Sequence, residues 1–204
     1  MAGANNIDVT IKDGDGHAPR AAEKIMTAAS DLFYRQGIRA IGVDEIVKTA
    51  GVTKPSLYRS FASKDDLAAS YLKHYDGEFW ARFDEAVAAH PGDARAQIGA
   101  FFTRIGKRTQ KPGYRGCGMT NAAVEYPERD HPARIVSEEN KRELRRRLRA
   151  MAHEMGAKDA ETLGDGLLLL IEGAYISGQL FGKGGPAASV AKNADLLIGA
   201  SLAG

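Results

Sequence analysis

The sequence of 204 residues is long enough for one large domain or two small ones, and a hydrophobic content of 44% is ample for a packed core. A single cysteine excludes a disulfide framework and a paired-cysteine metal site, and five histidines without ligand spacing support neither a metal site nor a cofactor. The formal net charge is +2, but residues 19–64 hold eight basic and four acidic side chains, a local charge of +4.

The amino-terminal segment, residues 1–18, lacks the basic region and the apolar run of a signal peptide, and we expect it to be a disordered tail. The most apolar stretch, residues 166–174, is interrupted by Glu172 well before the roughly 20 residues that a membrane span needs. These features predict a soluble, cytoplasmic protein.

Apolar residues recur every three to four positions from residue 20 to residue 202, which predicts an all-α fold. Glycines and prolines interrupt this pattern, and Ser63 with Asp66 matches a capping box at the start of a long fourth helix. The predicted helices cover residues 19–36, 43–50, 53–60, 63–89, 93–109, 119–125, 132–155, 159–181 and 186–202.

Two of these helices, the second and the third, are short and are joined by a tight turn at residues 50–52. Gly51 permits the sharp backbone bend, and Leu57 with other aliphatic side chains allows the two helices to cross closely. The third helix then exposes Lys54 and Ser56 in its first turn, where a recognition helix approaches base edges in the major groove. The layout predicts a helix-turn-helix that binds DNA.

The segment from Gly37 to Leu67 closely resembles the signature of the TetR family of transcriptional regulators, above all in the run AGVTKPSLYRSFASKDDL. The resemblance implies a three-helix DNA-binding domain at residues 19–64 and a larger helical domain for effector binding and dimerisation at residues 65–204. It also implies operator DNA as partner, a homodimer, and repression relieved by a small molecule that shifts the fourth helix, with activation as the alternative. A regulator of this type is not an enzyme.

The same resemblance assigns roles within the helix-turn-helix. Gly42 departs from the family, which usually has threonine or serine there in contact with DNA. Arg59 is expected to contact either a base or a phosphate. The family pattern makes Lys54, Pro55, Ser56 and Ser60 candidates for facing bases, and Thr53, Tyr58 and Lys64 candidates for phosphate contacts.

The last two helices have few charges and carry apolar residues over much of their circumference, which indicates burial on two sides. We expect a homodimer through these helices, although a helix central to its own core is the alternative. The residues expected to face a partner are Leu163, Leu167, Leu170, Ala174 and Phe181, with small Gly173, Ser177 and Gly178 nearby.

The effector half is expected to hold a pocket with apolar walls and a few orienting polar groups. Cys117, between two glycines and beside Arg115, also suggests a thiol sensor; a helical small-molecule or thiol-sensing protein without operator binding is therefore the alternative function. An enzyme using Cys117, His131 or Glu125 lacks any supporting motif. The candidate lining residues are Phe79, Phe83, Phe101, Phe102, Cys117, Met119, Asn121, Glu125, Tyr175 and Gln179.

Overall fold

A computed structural model describes residues 20–203, and all regular secondary structure within this range is helical, which confirms the all-α fold. The predicted tail at residues 1–18 lies outside the described residues. The helices are α1 (Ala21–Gln36), α2 (Val43–Ala50), α3 (Lys54–Ser60), α4 (Lys64–Ala88), α5 (Ala94–Thr109), α6 (Gly118–Glu125), α7 (Pro132–Glu154), α8 (Ala160–Phe181), a 3-10 helix (Pro186–Ser189) and α9 (Val190–Ala203).

Polar side chains at the helix starts explain why these boundaries could be predicted. Asp93 accepts a hydrogen bond from the amide of Ala96 at 2.9 Å, and Asp159 accepts one from the amide of Thr162 at 3.0 Å. At the start of α4, the Ser63 hydroxyl accepts from the amide of Asp66 at 3.0 Å. The return bond of the predicted capping box differs, because the Asp66 carboxylate accepts from the amide of Ala62 and not from that of Ser63.

Residues 186–202 were predicted to form one helix, but the structure divides them into a 3-10 helix and α9. Residues Pro186–Ser189 form a 3-10 turn, with the amide of Ala188 donating to the carbonyl of Gly185 at 3.0 Å. Ala187 is buried in this turn, and its carbonyl lies 3.4 Å from the position that a Cβ on Gly106 of α5 would occupy. The tighter turn therefore brings the backbone close to α5 before α9 begins.

The described chain divides into two compact units that are each discontinuous in sequence. The first unit contains residues 20–75 and 118–137, and the second contains residues 76–117 and 138–203. Helices α4 and α7 each contribute residues to both units. Within the described residues, no helix is long and apolar enough to cross a membrane.

The core of the first unit is formed by α1 to α3 and the first part of α4. Ile25 of α1, Ile46 of α2, Leu57 of α3 and Leu67 of α4 are all fully buried. Helix α6 approaches α4 closely, since a Cβ on Gly118 would lie only 2.9 Å from the Tyr71 hydroxyl. These contacts fix the position of α3, whose outer face remains exposed.

The core of the second unit contains α5, α7, α8 and α9. Leu163, Leu167 and Ala174 of α8 were expected to face a partner subunit. This expectation is wrong, because all three are buried within their own unit. Phe181 is 61% exposed, as expected for a side chain available to a partner. The apolar residues exposed on the other side of these helices are Leu169, Ile176 and Leu180 of α8 and Leu196 of α9. Both faces of α8 are apolar, so hydrophobicity alone could not distinguish them.

Candidate functional site

The turn between α2 and α3 has the geometry that the sequence predicted. Gly51 has φ of 64° and ψ of 36°, a left-handed conformation that is favourable for glycine and unfavourable for other residues. Its amide donates to the carbonyl of Lys48, and the amide of Val52 donates to the carbonyl of Val47 at 3.0 Å. The bend directs α3 across α2 with Leu57 inward.

The predicted DNA-contacting residues all belong to the first unit and lie on α3 or at the adjoining helix starts. Tyr58 is 52% exposed, which is high for a tyrosine packed on a helical domain. Ser56 and Lys64 are partly buried. The remaining six are exposed: Thr53, Lys54, Pro55, Tyr58, Arg59 and Ser60.

Hydrogen bonds connect the polar side chains of this face to one another. The Arg59 guanidinium donates to the Ser56 hydroxyl at 2.9 Å, and the hydroxyls of Thr53 and Ser56 lie 3.1 Å apart. Thr53 occupies the N-cap position of α3, but its side chain makes no capping hydrogen bond. Instead, Thr53, Ser56 and Arg59 form a short polar chain along one side of the helix.

Lys54 has a partner that sequence analysis missed. Its ammonium lies 2.7 Å from the Asp44 carboxylate on α2, and both side chains are more than half exposed. The hydrogen bond that the Lys54 ammonium donates to the Asp44 carboxylate, together with the charge of Asp44, raises the pKa of Lys54, which stays cationic at neutral pH. The ion pair places a negative charge beside a residue expected to face bases.

Lys64, at the start of α4, is bonded to the turn between α1 and α2. Its ammonium donates to the carbonyl of Arg39 at 3.3 Å, and partial burial lowers the pKa of Lys64. The backbone amide of Arg39 donates to the Glu125 carboxylate at 2.8 Å, and its guanidinium donates to the Glu125 carbonyl at 2.9 Å. Glu125, the last residue of α6, thus holds the same turn.

Residues that follow α6 form a second set of contacts with the α1–α2 turn and with α4, through aromatic and ionic side chains. The rings of Tyr126 and His131 stack with centroids 3.8 Å apart, and Arg39 lies over the Tyr126 ring at 5.5 Å. His131 Nε2 lies 3.4 Å from a carboxylate oxygen of Asp65 on α4. Burial raises the pKa of Tyr126 to about 12. We call Glu125, Tyr126 and His131, with their partners Arg39 and Asp65, the α6 tie.

The second unit contains a cavity of about 410 Å³ lined by residues of α4, α5, α8 and the loop after α5. Three predicted ligand residues, Phe79, Phe101 and Tyr175, line it together. Phe83 and Phe102 are buried neighbours of Phe101, with ring centroids 4.8 Å and 6.4 Å from it. The full lining is Phe79, Arg82, Glu85, Phe101, Arg104, Ile105, Lys107, Arg108, Lys111, Tyr114 and Tyr175.

The other predicted ligand residues are not among those that line this cavity. Gln179 is a partly buried residue of α8, and Cys117 is buried with its sulfur 3.6 Å from the Lys141 ammonium. Met119, Asn121 and Glu125 belong to the first unit. The geometry argues against Glu125 as a ligand group, because the backbone and side chain of Arg39 already engage it.

The basic residues of the cavity were not predicted as ligand residues from the sequence. The chain from residue 104 to residue 111 carries Arg104, Lys107, Arg108 and Lys111, and their density was the available signal. Lys107 and Arg108 lie in the last turn of α5, where basic residues are common because they interact favourably with the helix dipole. Their presence there did not by itself indicate a ligand site. In the part of the chain that the structure describes, no group of three or more His, Cys, Asp or Glu residues could hold a metal ion.

Comparison with known proteins adds evidence that is independent of the site geometry. A family model described as "Bacterial regulatory proteins, tetR family" matches residues 25–71. The crystal structure of a candidate TetR transcriptional regulator from Streptomyces avermitilis superposes with a TM-score of 0.71 at 30% identity, over 90% of this chain and 98% of that one. The chain belongs to the TetR family.

The chain is also similar to other transcriptional regulators. A TetR-family transcriptional regulator from Streptomyces coelicolor superposes with a TM-score of 0.81 at 29% identity, over 90% of this chain and 95% of that one. The transcriptional activator FasR of Mycolicibacterium smegmatis is 35% identical over 95 residues, and the transcriptional repressor KstR2 of Rhodococcus jostii is 32% identical over 91 residues. Each alignment covers 45% of this chain, and 42% and 44% of those proteins, so the chain spans a little under half the length of these curated TetR relatives.

Proposed function

We propose that this protein is a sequence-specific DNA-binding transcriptional regulator, and that it is a repressor which a small-molecule ligand releases from its operator. The observation that carries the proposal is the exposed face of α3, where basic and short polar side chains project from a helix anchored by buried Leu57. A helix of this kind fits the major groove. TetR-family regulators bind operator DNA and effector ligands and form dimers, which supports the assignment.

Within the groove, the position and the chemistry of each side chain of α3 decide whether it contacts a base or a phosphate. Phosphate contacts suit side chains at the edges of the helix, whereas base contacts suit those on its outer face. Arg59 serves either purpose, because releasing its bond to Ser56 frees the guanidinium to turn. We assign Lys54, Pro55, Ser56 and Ser60 to bases, and Thr53, Tyr58 and Lys64 to phosphates.

A second copy of the chain is the proposed partner of α8 and α9. Leu169, Ile176 and Leu180 are spaced by seven and four residues on one side of α8, and Leu196 of α9 adds to the same apolar surface. Burying this surface in a twofold dimer would remove it from water. A dimer would present two α3 helices to successive major grooves, about 34 to 36 Å apart.

Helix α4 is the proposed link between ligand and DNA. It begins at Lys64, a proposed phosphate contact, and carries Phe79 on the cavity wall. A ligand that displaces α4 would change the spacing of the two recognition helices. Such coupling is typically worth roughly 1 to 3 kcal/mol, which lowers operator affinity by about fivefold to 150-fold.

Selection of bound sequences from random duplex DNA, followed by electrophoretic mobility shift on the enriched operator, tests the proposal. We expect a palindrome, and we expect Tyr58→Ala to weaken binding about fivefold to thirtyfold through loss of a phosphate contact and of the ring. Tyr58→Phe removes only the hydroxyl and should account for part of this loss. Enrichment of no sequence, or unchanged binding by Tyr58→Ala, would contradict the assignment.

A thiol-sensing helical protein without operator binding is the second candidate, and the contact of the Cys117 sulfur with the Lys141 ammonium at 3.6 Å favours it. The two candidates differ in salt dependence. Operator binding must weaken steeply as salt rises, because each neutralised phosphate releases counterions. A sensor without operator binding shows no such dependence, and its response to oxidants disappears in Cys117→Ser.

A further inference from the structure

The cavity of the second unit combines an aromatic wall with a strong excess of positive charge. Phe79, Phe101 and Tyr175 supply rings from three different helices. Its volume of about 410 Å³ lies within the range of small-molecule sites. The charged lining residues are five cations and one carboxylate: Arg82, Arg104, Lys107, Arg108 and Lys111, and Glu85.

The carboxylates near this cavity balance only part of that charge. Glu85 pairs with Arg104 at 2.6 Å, and this hydrogen bond lowers the pKa of Glu85, which therefore stays anionic. Glu78 lies 3.3 Å from Arg82. No ion pair within the described residues engages Lys107 or Lys111, and both are exposed. The lining therefore keeps a surplus of positive charge.

Arg82 contributes a hydrogen-bond donor that the folded chain leaves unused. Its Nη2 is buried and has no hydrogen-bond partner within the described residues, while its Nη1 donates to Glu78. Leaving a buried charged donor unsatisfied costs stability, and an acceptor oxygen from a ligand would remove that cost. The α5 dipole explains basic residues in its last turn, but not Arg82 on α4 or Lys111 beyond the helix end.

We propose that this cavity binds an amphipathic organic anion, with an aromatic or acyl body against Phe79, Phe101 and Tyr175 and an anionic head held by the basic rim. The shared chemistry of the head is an oxyanion, a carboxylate or a phosphate, which accepts charge-assisted hydrogen bonds. The inference rests on the proposed function in taking this ligand as the effector. It goes beyond that function by assigning the ligand's chemical class.

Titration calorimetry on the full chain tests the class with ligands that differ only in the head: decanoate, decyl phosphate, decanol and decylamine. We expect at least one of the two anions to bind at least tenfold more tightly than decanol, and decylamine to bind more weakly still. Shortening the better anion should weaken binding by up to about fourfold per methylene, because each buried methylene contributes about 0.8 kcal/mol. Trp80, the sole tryptophan, has its ring 5.0 Å from Phe79 and gives a second, fluorescent readout.

The double variant Lys107→Glu/Lys111→Glu should abolish the preference for anions, since both side chains are exposed and their replacement leaves the core intact. Lys158→Glu/Lys192→Glu makes the same charge change at exposed positions outside the lining and should retain the preference. Equal binding of decanol and both anions, or an unchanged preference in the first variant, would overturn the proposal.

A mobility-shift assay with the selected operator separates this inference from the proposed function. Anion binding that leaves operator affinity unchanged supports the ligand class and contradicts the role of this ligand as effector. Operator binding that neither anion affects, with no heat of anion binding, overturns the ligand class and leaves the DNA-binding assignment standing. Carboxylate and phosphate heads are distinguished by which of the two anions binds more tightly.

Discussion

Asp44 and Lys54 form an ion pair on the surface proposed to meet DNA, and we expect this pair to compete with DNA for the lysine. Asp44→Asn frees the ammonium and removes a negative charge from the surface proposed to meet DNA. We expect operator affinity at low salt to rise by up to about fivefold, the value of a surface ion pair. The affinity should also fall more steeply with salt, by about one further counterion. Fluorescence anisotropy over a salt series measures both effects.

Glu45→Gln is the matched control for this substitution. It removes one carboxylate from the same first turn of α2, with the same effect on the helix dipole, at an exposed position with no ion pair recorded among the described residues. An equal rise in both variants would assign the effect to general charge. A fall in Asp44→Asn alone would instead indicate that Asp44 accepts a hydrogen bond from a base.

The exposure of Lys54 was predicted from the sequence, but Ser56 is partly buried rather than exposed, and the partners of these residues within the chain were not predicted. Lys54 was identified because a recognition helix exposes basic side chains in its first turn, and Lys64 because the resemblance to the TetR family makes it a candidate for a phosphate contact. Their partners, Asp44 and the carbonyl of Arg39, depend on how α2 and the α1–α2 turn pack, and spacing within one helix contains no such information. Glu125 was predicted to line the ligand pocket, because its contact with Arg39 also depends on tertiary packing and is not visible in the sequence.

Two glycines inside helices are expected to respond oppositely to alanine. Gly77 is exposed in α4 and a Cβ there would meet nothing within 4 Å, so Gly77→Ala should stabilise the protein by about 1 kcal/mol. Gly164 of α8 is buried, and its Cβ would lie 2.6 to 2.7 Å from atoms of Arg149, including its backbone. Gly164→Ala should therefore destabilise the protein by about 1 to 3 kcal/mol. Equilibrium unfolding in urea measures both changes.

Each glycine serves as the control for the other, because both substitutions add one methyl group to a helix interior. Stabilisation by both would show that α7 and α8 can separate at Gly164 without cost. Destabilisation by Gly77→Ala would show that α4 requires flexibility near its middle in the folded state.

The helices themselves were largely predictable, because their ends are marked by local chemistry. Asp93 and Asp159 cap α5 and α8, and Gly37 and Gly51 end α1 and α2. The 3-10 turn at residues 186–189 was not predictable, because its close approach to α5 is a tertiary effect. The outward face of α8 was missed, since both of its faces are apolar.

Acid should destabilise the whole molecule through carboxylates bound to arginines. Hydrogen bonds from Arg145 and Arg149 hold the pKa of Asp165 far below its usual range, and those from Arg146 and Arg147 lower the pKa of Glu143 to about 2. A carboxylate with a lowered folded-state pKa stabilises the protein above its unfolded-state pKa, near 4, and the contribution is lost as pH falls below that value. The melting temperature should therefore drop between pH 5 and pH 2.

Asp165→Asn tests this prediction. The melting temperature of the variant should fall less between pH 5 and pH 2 than that of the parent, since the variant has one fewer carboxylate with a lowered pKa in the folded state. Glu154→Gln alters an exposed carboxylate at the end of α7 for which no arginine partner is recorded among the described residues, and its pH profile should follow that of the parent. Parallel profiles for all three proteins would exclude the linkage.

The proposed dimer makes a prediction about the assembled protein. Ile176→Glu with Leu180→Glu places two charges on the exposed stripe of α8, where desolvation in an interface would be costly. We expect a monomer in light scattering at micromolar concentration, with operator affinity reduced more than tenfold. Val124→Glu, at a 79% exposed residue of α6, should remain dimeric. A dimeric double variant would require a different interface.

Two domains could be predicted from the sequence, but not that each compact unit consists of two separate segments of the chain. The domain boundary predicted at residue 64 stays a prediction, and the compact first unit continues along α4 to residue 75 and includes residues 118–137. Only the tertiary structure shows that a segment more than 40 residues further along the chain returns to the helix-turn-helix. Glu125 and His131 join that segment to the first unit through their contacts with Arg39 and Asp65.

The α6 tie has a consequence for building chimeric regulators. A transplant that exchanges only the first 75 residues would graft a turn at Gly37 and Arg39 without the carboxylate that binds it. The recipient would have to supply an acidic residue at the end of its own sixth helix, together with an aromatic pair to receive Arg39 and Asp65. We therefore expect operator specificity to transfer when both segments of the first unit are exchanged together, and not when the chain is cut once after residue 75.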